Sequence, residues 1–147
     1  MLSRPLLLAA LCATAALTAC GSPSAEHPTA AYTVEVRSES RILDNLRAFA
    51  RTEGFTYSEN RQALSDATVS FDLTRADMQV RGADPASPRR FEIKVFASRD
   101  PAKAASAHEI EVVAARLETS LRTIKDATVT RARIDPAKGA VQEDAAP

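Results

Sequence analysis

The chain predicts an α+β domain: one antiparallel sheet with two helices on one of its faces. Three observations carry this. At 147 residues the chain suits one domain rather than two. Between residues 31 and 134 the spacing of apolar residues switches repeatedly between a period of two and a period of three to four. The two helical stretches are separated by a hairpin region, and a strand-like stretch stands at each end.

The elements follow in order. Tyr32-Thr33-Val34-Glu35-Val36-Arg37 alternates apolar and polar residues, as a half-buried strand does. From Ser40 the spacing changes. Ile42, Leu43, Leu46, Phe49 and Ala50 fall on one helical face, Arg41, Asp44, Asn45, Arg47 and Arg51 on the other, and Gly54 is placed to end the helix. Phe55-Thr56-Tyr57 reads as a short strand, followed by a polar loop or a turn of helix from Asn60 to Asp66. Val69, Phe71 and Leu73 mark a further strand, and Met78 and Val80 begin another after the tight Arg75-Ala76-Asp77 connection. Gly82 to Pro88, rich in glycine and proline, predicts a loop. Phe91, Ile93 and Val95 give the strongest strand pattern in the chain. Asp100-Pro101 combines an N-cap acid with a proline at the first helical position, so the second helix is predicted from there to about Lys125. Its buried stripe is Ile110, Val113, Ala114, Leu117, Leu121 and Ile124. Thr128 to Ile134 supplies the last strand. Phe49, Phe71, Phe91 and Leu117 are expected in the core.

This β-α-β(β)-β-α-β order resembles the ferredoxin-like split βαβ sandwich. The resemblance is topological and implies no activity, because that architecture hosts many unrelated functions.

Outside the domain the N-terminus has its own pattern. Arg4 precedes a twelve-residue apolar run from Leu6 to Leu17. That run is shorter than the ~20 residues needed to cross a bilayer and matches the core of a secretory signal. Leu17-Thr18-Ala19-Cys20 then resembles the bacterial lipobox: a leucine, two small residues and a cysteine. The resemblance implies that residues 1–19 are a lipoprotein signal peptide and that the Cys20 thiol carries a diacylglycerol. It implies cleavage in front of Cys20 and commonly acylation of the new amine. Two or three chains exceed what stable anchoring needs, at about 0.8 kcal/mol per buried methylene. Gly21 stands where, in the enteric sorting rule, an aspartate would retain the protein in the inner membrane. The expected location is therefore the outer membrane, facing the periplasm.

With Cys12 removed and Cys20 acylated, the mature domain has no thiol, so its stability must come from its core. Loss of Arg4 with the signal leaves 18 basic against 19 acidic residues, a balance that does not steer the chain toward nucleic acid. Residues 20–30 read as the lipidated cysteine and a flexible tether with a reach of roughly 18 Å. Residues 31–134 form the single domain, and 135–147 read as a disordered tail.

The catalytic inventory is thin. His27 lies in the tether and His108 is the one histidine of the domain. His108-Glu109 is followed by Val112 where a zinc helix needs a second histidine, so H-E-x-x-H is not met. The four glycines build no phosphate loop, and no cofactor or metal site is expected. The outward positions Glu35, Arg37, Asp72, Glu92 and Lys94 suggest a mixed-charge sheet face, with Arg131 and Arg133 expected to join it and Arg89 and Arg90 beside it. Apart from Phe96, that face lacks the stacking aromatics of an RNA-binding sheet. These observations predict a non-enzymatic, lipid-anchored domain that binds another envelope protein, with Arg89, Arg90, Arg131 and Arg133 as contact residues. An immunity or inhibitor lipoprotein acting on a periplasmic toxin or hydrolase is the alternative within that class. A small periplasmic hydrolase is the alternative outside it. If Arg131 and Arg133 are outward, reversing both to glutamate leaves stability within about 0.5 kcal/mol.

Overall fold

A computed structural model describes residues 27–61, 69–84, 89–134 and 141–142. The signal region, Cys20 and residues 62–68 and 85–88 lie outside the described residues, as does the predicted tail except Val141 and Gln142. The elements in chain order are β1 (Ala30–Glu35), α1 (Glu39–Glu53), β2 (Thr56–Arg61), β3 (Val69–Thr74), β4 (Met78–Ala83), β5 (Arg90–Ala97), α2 (Ala107–Arg122), β6 (Thr128–Ile134) and β7 (Val141–Gln142).

The class is α+β, with strands in the order β2-β3-β4-β5-β1-β6-β7 and every pairing antiparallel. The four-stranded ferredoxin-like order does not describe this sheet. β1 does lie between β5 and β6, so β5–α2–β6 is a split βαβ unit. The strand that follows α1, however, sits at the far edge, with β3 and β4 between it and β5. The reason is local pairing. β3, β4 and β5 each carry an apolar inner row and pair with their sequence neighbours. The polar β2 is left as the edge.

Both helices pack against one face and share a single core with it. Cross-strand register aligns the inner row: Tyr32 with Ile93, Ile93 with Gly82, and Gly82 with Phe71. Phe49, Phe71, Phe91 and Leu117 are all buried, as are the predicted stripes of both helices. Tyr32, 1 % exposed, donates its hydroxyl to the Ala114 carbonyl of α2 at 2.9 Å. Burial pushes its pKa up to about 12, against the lowering effect of Arg131. Asn45 and Ser120 join the helices reciprocally: the Asn45 amide donates to the Ser120 carbonyl at 3.1 Å, and the Ser120 hydroxyl donates to Asn45 Oδ1 at 3.0 Å.

Helix ends show what decided the boundaries. Gly54 ends α1 with φ 75°, the left-handed conformation glycine adopts without strain. Arg75 then donates to the Glu53 carbonyl at 3.0 Å while holding Asp77 with two nitrogens at 2.6 and 2.9 Å. α2 does not begin at Asp100-Pro101. Those residues make only a turn, in which Asp100 Oδ1 accepts from the Ala102 amide. The helix starts after Ser106, whose side chain and that of Glu109 form a reciprocal capping box. That box satisfies two amides one turn ahead of the buried stripe, whereas three positions after Asp100 stands Lys103, whose side chain has no oxygen to return such a bond.

Three other boundaries differ from the sequence reading. Thr29, read as tether, is tied to the sheet, bonding the Val95 carbonyl through both its amide and its hydroxyl. Gly82 and Ala83 belong to β4 rather than to a loop. Val141 and Gln142 pair with Ile134 and Arg133, so these two residues are strand rather than tail.

β2 is a full strand, although its inner residues are polar. Tyr57, Glu59 and Arg61 face α1. Glu59 accepts from Tyr57 at 2.9 Å, from Arg61 at 2.8 Å and from Arg47 of α1 at 2.5 Å. Arg61 reaches Glu39 of α1 at 2.9 Å, and the Arg47 guanidinium lies 5.3 Å from the Tyr57 ring centre. Burial raises the Glu59 pKa, but the hydrogen bonds from Tyr57, Arg61 and Arg47 outweigh it and hold the carboxyl below its ordinary value. A group depressed in this way stabilises the fold above its unfolded-state pKa, about 4.3, and loses that contribution as pH falls through the folded value. Glu59→Gln is therefore expected to lower the urea midpoint at pH 7 and to make its fall below about pH 4.3 less steep. An unchanged acid limb would show that the clasp contributes nothing.

Candidate docking surface

Among the described residues no helix covers the sheet face opposite α1 and α2, and that face carries alternating charge. Register places Glu35 beside Arg90, and Asp72, Arg81 and Lys94 in one row. Asp72 accepts from Gln79 at 3.1 Å and lies 3.4 Å from Arg81, while Lys94 and Glu92 are 4.0 Å apart. Phe96, the one aromatic on this face foreseen from the sequence, is 9 % exposed with the Arg81 guanidinium 5.6 Å from its ring centre. It is covered rather than offered for stacking. A shallow depression of about 310 Å³ runs between Asp72, Arg81, Glu92, Lys94 and Phe96.

The four predicted contact arginines do not share a surface. Arg89 and Arg90 stand where β5 begins, at the end of the sheet where β1 finishes. Arg131 is opposite Tyr32, on the helix-facing side. Its guanidinium meets Glu111 at 2.8 Å and Glu118 at 4.0 Å, both on α2, and sits 5.9 Å from the Tyr32 ring centre. Its hydrogen bond to Glu111 raises its pKa further. The expectation that Arg131 points outward is corrected. Val129 is buried, and a strand's period of two puts residue 131 on the same side. Arg133 follows on that side and is exposed, near where β1 begins.

Arg37, outside the predicted set of contact residues, joins Arg89 and Arg90. The Val36 amide bonds the Arg89 carbonyl at 2.7 Å and so brings the two chain segments together. The resulting cleft, about 590 Å³, is lined by Glu35, Val36, Arg37, Arg89, Arg90 and Asp126, among others. Only the β1–β5 register discloses this neighbourhood, since Arg37 and Arg89 are fifty-two positions apart.

His108 is exposed on α2. Among the described residues, no three histidine, cysteine, aspartate or glutamate side chains cluster as metal ligands would. Tyr57, like Tyr32, has its pKa pushed up to about 12, by burial and by its bond to Glu59. Neither phenol is therefore set up as a base. No known protein family and no curated protein matches this chain.

Proposed function

We propose that the protein is a lipid-anchored, non-enzymatic domain of the bacterial envelope, held at the outer membrane by Cys20 and facing the periplasm, where it docks another envelope protein through polar surface. The observation that carries this reading is the Leu17-Thr18-Ala19-Cys20 lipobox after an apolar run too short to span. The mixed-charge sheet face and the arginine-lined end cleft support the docking part. Charged rims of this kind act mainly on association rate and salt sensitivity.

Changing Cys20 to serine tests the anchor. The wild-type chain is expected to incorporate labelled palmitate and to fractionate with membranes. The variant is expected to keep its precursor size and take up no label. A variant that matures to the wild-type size and stays with membranes would refute the lipobox reading.

A further inference from the structure

The geometry points to the end cleft at Arg37, Arg89 and Arg90 as a recognition site for an acidic segment of a partner protein. This inference deepens the docking reading above and rests on it. The Arg37 and Arg89 side chains are exposed and have no hydrogen-bond or ion-pair partner among the described residues, although those of Arg47, Arg61, Arg75, Arg116, Arg122 and Arg131 are all engaged with carboxylates. Two guanidiniums on one cleft, unpaired among the described residues, supply planar donor forks whose best match is a carboxylate.

The acids on the same cleft narrow the occupant. Glu35 stands opposite Arg90 in the β1–β5 register, and Asp126 lies 3.7 Å from Arg41. A uniformly charged polyanion would meet these carboxylates as like charges. A peptide with spaced carboxylates set among apolar residues would not, and Val36 and Ala127 line the cleft for its neutral positions. Position in the fold gives a second argument. β1 leads from the tether side at Ala30 to Glu35 at the cleft, a span of about 17 Å. A chain anchored through Cys20 therefore carries the cleft at the end of β1 away from its point of attachment, within reach of a protein in the aqueous space.

The test uses the full chain, purified from membranes in detergent micelles whether or not it is acylated, and a fluorescein-labelled hexapeptide of alternating leucine and glutamate, read by anisotropy. The peptide is expected to bind saturably and more weakly with added salt, and its leucine–glutamine counterpart is expected not to bind. Arg37→Glu combined with Arg89→Glu should weaken binding about tenfold or more, with the circular dichroism spectrum unchanged. Arg51→Glu, reversing an exposed arginine away from the cleft, should bind as wild type does. Equal weakening by Arg51→Glu, equal binding of the glutamine peptide, or no binding at all would each overturn the proposal. So would binding of soluble peptidoglycan fragments, with their stem-peptide carboxylates, in place of the peptide. The assay does not depend on acylation, so its failure is distinguishable from failure of the anchor, which the Cys20→Ser fractionation reads separately.

Discussion

Gly82→Ala will destabilise the domain by about 1–3 kcal/mol, although it adds a single methyl group. A Cβ at Gly82 would lie 2.1 Å from Phe71 Cζ and 2.6 Å from its Cε1. The ring has nowhere to go: Phe71 is 1 % exposed and packs against Phe91 with ring centres 6.5 Å apart. Phe71→Ala removes the ring and leaves a cavity, at a cost of about 3–5 kcal/mol. The two changes together should cost far less than their sum. Once the ring is gone the alanine clashes with nothing, and in a strand interior alanine is better than glycine by roughly 0.5–1 kcal/mol. Urea unfolding of the four members of the cycle should give a coupling of about 2 kcal/mol. Strict additivity would show that the glycine does not serve the ring.

Arg131→Glu is expected to cost about 1–3 kcal/mol, with a larger loss at low salt. The substitution removes the ion pair with Glu111 and the cation resting on Tyr32, and sets a third carboxylate beside Glu111 and Glu118. The side chain is 39 % exposed, so solvent screens the pair and each contribution stays near or below about 1 kcal/mol. Arg131→Met separates them: it keeps an apolar stem over Tyr32 and adds no charge, so its cost should stay below about 1 kcal/mol and vary little with salt. Arg133→Glu, on the neighbouring exposed position, should change stability by less than about 0.5 kcal/mol. Equal effects of the two reversals would contradict the latch between β6 and α2.

What was legible in the sequence followed the apolar pattern. Ile42 to Ala50 and Ile110 to Leu121 announced their helices by spacing, and the inner rows of β1, β3 and β5 announced their strands by alternation. β2 did not, because the residues it turns inward are Tyr57, Glu59 and Arg61, which are held by hydrogen bonds to one another and to Arg47 and Glu39 rather than by hydrophobic burial. Polarity also misplaced Arg131. Its parity with Val129 places it on the helix-facing side, while its charge favours the solvent-facing one. Gly82, at the head of a run with two prolines, reads as a turn residue because its partner across the sheet, Phe71, is fixed only by register. The end cleft was hidden for the same reason, with Arg37 and Arg89 joined by a strand pairing and not by a motif.

Mass spectrometry of the N-terminal peptide, from protein purified out of bacterial membranes, tests the central claim most directly. The account predicts that the mature chain begins at Cys20 and that its thiol carries a diacylglycerol through a thioether. A mature chain that begins at any other residue, or a Cys20 recovered as an unmodified thiol, would contradict it.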